Sequence, residues 1–245
     1  MKQSLGIVFL LSMLVFACTP NNVKTDTSIN KIMDSAQVKG CFALMENGSG
    51  QFTITHLAYY KDSSFAPLQT FFAIPTLIAL DRGIISHDAK TWAAMDSVNY
   101  YEGLIAQIGR PTMLSTRDSL HYGKGIASAD STHYWNNGSL TITPDEQLGF
   151  IKKLYFNELP FQKRSQEMYK KMILKEDNAN YKLSYMNGVD TIKGNAWSLG
   201  FVEENKHPYF FVLYTKNSKT KNAQNEHNAL LMRILLQQGF LKGVR

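Results

Sequence analysis

The sequence predicts an α+β fold, in which an antiparallel sheet is built from N- and C-terminal strands, flanked by helices and interrupted by an inserted all-helical lobe. The order of the elements is the first observation behind this prediction: strands come first, helices follow, and further strands and a last helix close the chain. The second is size, because 245 residues with 44% hydrophobic content can enclose one sizeable core.

The first predicted element is a β-hairpin. KGCFALMEN (39–47) alternates in polarity and ends at the turn signal NGSG, and QFTITHLAYY (51–60) continues as a β-rich run. Cys41 lies in the first strand. Because the chain has only two cysteines, no disulfide framework is expected, and Cys41 is predicted to be a small buried apolar side chain.

Helices are predicted through the middle of the chain. Apolar spacing and closing glycines indicate helices within 75–85 and 100–109. A third helix starts at Thr143, with a proline in its first position and Glu146 three residues after the cap, which is a capping-box pattern. A fourth is predicted over 165–176.

Two strands and an amphipathic helix complete the predicted fold. The strands cover 197–204 and 208–217, and the helix covers 228–241. The sheet therefore draws on both ends of the chain.

Charge and histidine spacing exclude several functions. The net charge of +6 is spread along the chain, and the densest basic run, KNSKTKN (216–222), is typical of a solvated loop, so no nucleic-acid partner is expected. None of the six histidines forms a metal-spaced pair, and the glycines are too isolated for a phosphate loop. We expect no metal and no cofactor.

The N-terminus, MKQSLGIVFLLSMLVFACTP, resembles a bacterial lipoprotein signal. Its apolar run is too short to span a bilayer, and VFAC places a small residue before Cys18. The resemblance implies a signal peptide over 1–17, lipidation of Cys18, a polar tether over 18–34 and a domain over 35–245. The protein would then be anchored in the bacterial cell envelope and face the periplasm or the exterior. The alternative is an ordinary signal peptide with an incidental cysteine.

Five stretches resemble, in order, segments of the class D (oxacillinase-type) serine β-lactamases and the penicillin-binding transpeptidases. They are YWNNGSLTITPDEQLGFIKKLYFNELPF (134–161), IPTLIALDRGII (74–85), YYEGLIAQIG (100–109), HYGKG (121–125) and NAWSLGFVEENKHPYFFVLY (195–214). The resemblance runs from about residue 39 to the C-terminus. It implies a β-lactam or a cell-wall peptide as the ligand.

The chemistry of that family needs three clusters. Ser-x-x-Lys at a helix start supplies a nucleophile and, one turn later, its base. A Ser-x-Val or Ser-x-Asn loop relays protons. Lys-Thr-Gly or Lys-Ser-Gly on a strand pairs with the substrate carboxylate and lines the oxyanion hole.

The first cluster is altered here. Aligning on Ile74-Pro75 puts Thr70 at the nucleophile position and Ala73 at the position of the general base, which is lost. Threonine is a nucleophile only with a base within reach. Trp135 either lines the cleft near this pair, as the resemblance implies, or belongs to the core.

The other two clusters are altered as well. Counting back from YYEGL puts Asp96 at the second-motif serine, and one gap puts Ser97 there. Met186, Asn187 and Gly188 stand where Lys-Thr-Gly belongs, so the glycine remains and the cation does not.

The sequence therefore favours a domain that is impaired in β-lactam hydrolysis and acts as a binding or regulatory module at the cell wall. Two alternatives stay open. One is an active acyl-enzyme that uses Thr70 as its nucleophile with help from another group, and the other is a purely structural, partner-binding protein.

Overall fold

A computed structural model describes residues 22–86, 97–125, 133–216 and 223–243. Seven strands form one mixed sheet in the order β1-β3-β2-β7-β6-β5-β4. All neighbouring strands run antiparallel except β1 and β3, which are parallel. The strands are β1 (Val23–Thr25), β2 (Lys39–Glu46), β3 (Phe52–Ile54), β4 (Leu174–Asp177), β5 (Tyr181–Asp190), β6 (Asn195–Glu204) and β7 (His207–Lys216). The predicted α+β class is confirmed, with N- and C-terminal strands meeting at β2 and β7.

Helices cover both faces of this sheet and form the inserted lobe. They are α1 (Thr27–Ser35), α2 (Leu57–Lys61), α3 (Ala73–Asp81), α4 (Val98–Ile108), α5 (Arg110–Leu120), α6 (Pro144–Tyr155), α7 (Lys163–Met172) and α8 (Ala223–Gln237). A short 3-10 turn, Leu68–Phe72, leads directly into α3.

Alternation along the strands divides the core into two clusters. On β2, Cys41 and Ala43 face the helices of the lobe, whereas Phe42 and Leu44 face the opposite side. The larger cluster contains α3 and most of α6, and the smaller one lies under α1 and α8. Because both faces are covered, the central strands are mostly apolar along their buried stretches. Cys41 is fully buried, as predicted.

The capping box at the start of α6 forms as predicted. The Thr143 hydroxyl accepts a hydrogen bond from the Glu146 backbone N–H at 3.1 Å, and the Glu146 carboxylate accepts one from the Thr143 N–H at 2.8 Å. The two exchanged bonds satisfy donors that a helix start otherwise leaves open.

Several predicted segments are wrong in detail. Residues 23–34 are not a tether, because β1 pairs with β3 and α1 buries Ile29 and Met33 against the sheet. Residues 57–61 are helical rather than extended. The helix predicted to reach residue 176 ends at Met172, and β4 follows.

The signal peptide and Cys18 lie outside the described residues. Among the helices within the described ranges, none combines the length and the apolar character needed to cross a membrane. The remaining stretch between Cys18 and β1 is only a few residues long.

Candidate functional site

A cleft of about 360 Å³ opens where the outer edge of β5 meets the 3-10 turn and the helical lobe. This volume lies at the lower end of the range for small-molecule sites. The side chains that line the cleft and concern its chemistry are Gln69, Phe72, Val98, Tyr101, Lys175, Met186 and Asn187.

Thr70 does not line this cleft. Its side chain is 1% exposed, and its hydroxyl donates to the Pro67 carbonyl at 2.5 Å and accepts from Gln147 Nε2 at 2.9 Å. The Gln147 carboxamide oxygen accepts in turn from the Tyr122 hydroxyl at 3.2 Å. Burial raises the pKa of Tyr122 well above its ordinary value, so this network holds no base at neutral pH.

Ala73 also faces the core. It is fully buried at the start of α3 and belongs to the larger apolar cluster. A side chain at this position points away from the cleft, so the predicted pair Thr70 and Ala73 lies behind the cleft wall.

Gln69 and Phe72 are the two side chains of this segment that reach the cleft. They are three residues apart, the spacing that Ser-x-x-Lys requires. The Gln69 carboxamide oxygen accepts from the Val189 backbone N–H at 2.6 Å, and the Phe72 ring stacks on Tyr101 with centroids 4.0 Å apart. The cleft thus contains the carboxamide of Gln69 and the phenyl ring of Phe72. Each lies one residue before the position predicted by the alignment on Ile74-Pro75, which gave Thr70 and Ala73.

The backbone around Gln69 is held closely against β5. A Cβ atom added to Gly188 would lie 2.9 Å from the Gln69 nitrogen and 3.1 Å from the Thr70 nitrogen, so only glycine permits this approach. Leu68, just before, has a φ of +54° and is buried. Such a left-handed non-glycine residue persists only where its surroundings hold it.

The stretch predicted to hold the third motif lies at the cleft. Met186 and Asn187 line it, and Gly188 faces the 3-10 turn. The Tyr169 hydroxyl donates to the Met186 sulfur at 3.7 Å, and the Asn187 carboxamide bonds to the side chains of Ser198 and Asn228. These contacts fix the strand edge without a positive charge.

Of the second-motif candidates, only Ser97 is described. Its hydroxyl accepts from the Tyr100 N–H at 3.2 Å and caps α4, and the following residue, Val98, lines the cleft. Asp96 lies outside the described residues.

Trp135 belongs to the core. It is 1% exposed, its carbonyl accepts from the Leu68 N–H, and its ring lies parallel to Phe71 at 5.9 Å. It supports the 3-10 turn from behind rather than lining the cleft.

Tyr101 and Tyr169, which line the cleft, and the buried Cys41 thiol offer no nucleophile at neutral pH. Burial raises the pKa of Cys41 to about 12 and raises the pKa of Tyr101 and Tyr169 above the ordinary range. No group of three or more potential metal ligands occurs in the described part of the chain. The sequence analysis did not identify Gln69, Phe72 or Lys175 as residues of the site. A signal was available for Gln69, because it stands beside Thr70 as a polar residue in an otherwise apolar run.

The sheet, the inserted helical lobe and the cleft between β5 and the start of α3 form an architecture that is shared with class D β-lactamases and with a penicillin-receptor domain. The C-terminal domain of the Bacillus licheniformis BlaR penicillin receptor superposes with a TM-score of 0.80 at 27% identity, over 89% of this chain and 96% of that domain. A class D β-lactamase from Bacillus subtilis shares the fold, with a TM-score of 0.76 at 24% identity, over 87% of this chain and 96% of that one.

Sequence comparison agrees with the superposition. The chain is 29% identical to the regulatory protein BlaR1 of Bacillus licheniformis over 235 residues, which is 86% of this chain but only 39% of BlaR1. It is 28% identical to β-lactamase OXA-20 of Pseudomonas aeruginosa over 86% of this chain and 88% of that enzyme. No family model matches. The chain is thus a homologue of the class D β-lactamases and of the penicillin-sensor domain of BlaR1.

Proposed function

We propose that the protein is a lipid-anchored envelope module that binds a β-lactam or a cell-wall peptide reversibly and forms no acyl-enzyme. Its relatives include both a penicillin receptor and β-lactamases, so the family accommodates binding as well as hydrolysis. The choice between the two rests on the side chains in the cleft.

The observation that carries the proposal is the hydrogen bond from the Val189 N–H to the Gln69 carboxamide. This bond of 2.6 Å places an amide oxygen against a backbone donor of the strand on which the family builds its oxyanion hole. A carboxamide is not a nucleophile, and it fills the position that a developing oxyanion would need.

The neighbouring side chains also lack the groups that acyl transfer requires. Phe72, one turn after Gln69, has no proton to take or give, and Met186 brings no charge to the carboxylate position. General-base assistance is worth about 10²–10⁴ in rate, and one oxyanion donor about 10²–10³. In the described part of the chain, the cleft lacks the general base, a free oxyanion donor and the nucleophile. Ligand binding is therefore the function that the cleft supports.

The N-terminal sequence supports an envelope location. Lipid on Cys18 would hold the domain close to the membrane, because a chain from residue 18 to β1 spans at most about 17 Å when fully extended. The module would therefore sample ligands next to the bilayer, facing the periplasm or the exterior.

The alternative is an acyl-enzyme with Thr70 as the nucleophile. It requires the hydroxyl to leave its bonds to Pro67 and Gln147 and to reach a base through the cleft wall. It stays a prediction that the following experiment tests.

The test uses a chromogenic cephalosporin and a fluorescent penicillin on the wild type and on Thr70→Val. We expect no turnover and no label on the denatured protein, with both proteins alike. Turnover or stable labelling of the wild type that Thr70→Val abolishes would establish the acyl-enzyme instead.

A further inference from the structure

The edge of β5 gives a ligand carboxylate no cation. Met186 holds the position of the family's lysine and is buried against the Tyr169 hydroxyl. Asn187 is committed to Ser198 and Asn228 through its carboxamide. A positive charge for an anionic ligand must therefore come from another element.

Lys175 is the lining residue that brings one. It is an exposed residue of β4, at a β-bulge where Leu174 pairs with Ser184 and Glu176 pairs with Leu183. A bulge leaves one residue without a partner and redirects its side chain. Lys175 is that extra residue, and it is one of the residues that line the cleft.

The direction of the Lys175 side chain is set by an aromatic ring. Its Nζ lies 5.6 Å from the centroid of the Tyr185 ring, within the range of a cation–π contact. Tyr185 and Asn187 are two residues apart on β5 and share one face of the strand. The amine thus lies on the same side of β5 as the Asn187 carboxamide.

The carboxylates nearest in sequence are engaged elsewhere. Glu176 accepts from the Tyr181 hydroxyl, and Asp177 pairs with Lys182 at 3.1 Å. Within the described ranges, none of the ion pairs includes Lys175. Partial burial lowers the pKa of Lys175, which is the direction expected for an ammonium that loses water without gaining an anion.

We propose that Lys175 is the carboxylate anchor of the cleft, supplied by the bulge of β4 in place of the cation missing at Met186. This inference rests on the proposed function and specifies it: the ligand has an anionic carboxylate directed toward β4 and an uncharged body along the part of β5 that lines the cleft. Lys175 determines ligand specificity and takes no part in bond breaking.

The test compares benzylpenicillin with its methyl ester, which lacks the negative charge, by isothermal titration of the whole domain. The variants are Lys175→Met and Lys175→Arg. Lys171→Met is the matched control, because Lys171 is also exposed but lines a different depression near Phe156 and Leu174. Circular dichroism confirms that each variant is folded.

We expect Lys175→Met to bind benzylpenicillin about tenfold more weakly, the loss of one charge-assisted contact at a partly exposed site, and to bind the ester as the wild type does. Lys175→Arg and Lys171→Met should retain wild-type affinity for benzylpenicillin. Unchanged affinity of Lys175→Met for benzylpenicillin, or equal weakening for acid and ester, would overturn the anchor but leave the proposed function intact. Absence of binding of both compounds to the wild type would overturn the proposed function, and the anchor with it.

Discussion

Gln69 and Thr70 are adjacent polar side chains with opposite surroundings. The Gln69 carboxamide lies half-buried in the cleft against the Val189 N–H, whereas the Thr70 hydroxyl lies in a closed network with Pro67 and Gln147. Gln69 is accessible to a ligand in the cleft, whereas Thr70 stabilises the fold through its buried hydrogen bonds. The difference follows from where each side chain leaves the tight 3-10 turn.

This difference predicts that removing the two side chains lowers the free energy of unfolding by different amounts. Thr70→Val should lower the free energy of unfolding by about 1–3 kcal/mol, because it leaves the buried Gln147 amide without its acceptor. Gln69→Ala should cost less than about 1 kcal/mol, since water in the cleft can bond to the Val189 N–H. Urea denaturation of both variants measures the two costs. Equal costs, or a larger one for Gln69→Ala, would show that the two roles are misassigned.

His227 on α8 makes stability depend on pH. It is buried, its Nδ1 lies 2.9 Å from the Thr215 hydroxyl, and its Nε2 has no hydrogen-bond partner among the described residues. Burial lowers the pKa of His227 to about 3, from an unfolded value of 6.5. The unfolded chain therefore binds a proton between these two pH values that the folded chain does not.

The free energy of unfolding should consequently fall as the pH drops from about 6.5 towards 3, by at most about 5 kcal/mol from this group. His227→Gln, which cannot titrate, should show a shallower fall. Urea titrations at about pH 7 and about pH 4 on both proteins measure the difference. Parallel pH dependence in the two proteins would exclude His227 as the cause.

At the scale of elements, the capping box of α6 stabilises the helix that holds Gln147 behind the cleft. Thr143→Ala should lower the free energy of unfolding by about 1–2 kcal/mol, because the Glu146 N–H loses its acceptor. Thr191→Ala in the exposed β5–β6 turn is the control and should stay within about 0.5 kcal/mol of the wild type. A Thr143→Ala protein as stable as the control would mean that packing alone sets the start of α6.

Elements with a local signal could be predicted from the sequence. The hairpin strand β2, helix α6 with its cap, and strands β6 and β7 lie close to their predicted positions. The short helices α1 and α2 were not recognised. Both are short, and packing stabilises them: α1 has a cap at Asp26 but buries only two apolar residues, and α2 has only five residues in all.

The register of the site could not be predicted for a related reason. The alignment on Ile74-Pro75 uses residues inside α3, whereas Gln69 and Phe72, which face the cleft, lie one residue earlier than predicted in the preceding 3-10 turn, and the direction of their side chains is visible only in the folded turn. Met186, Asn187 and Gly188 lie on the strand β5, where Met186 and Asn187 line the cleft and Gly188 faces the 3-10 turn. Lys175 gave no signal, because a β-bulge is visible only once the strands pair.

At the scale of the molecule, the cleft lies between the sheet and the helical lobe. The sheet is buried on both faces, and the 3-10 turn is fixed by Trp135 from the lobe and by Gly188 from β5. The fold of the homologous enzymes is thus present here, while the positions that correspond to Ser-x-x-Lys and to the strand lysine present a carboxamide, a phenyl ring and a thioether to the cleft. This combination suits recognition of a ligand without chemical change.

The most direct test of this account is a single retention measurement with radiolabelled benzylpenicillin. The wild-type domain is saturated with the label, the bound amount is determined by equilibrium dialysis, and the same sample is then denatured and counted again. We expect saturable binding to the native protein and complete release on denaturation. Label that stays with the denatured chain would show a covalent acyl-enzyme and would contradict the account.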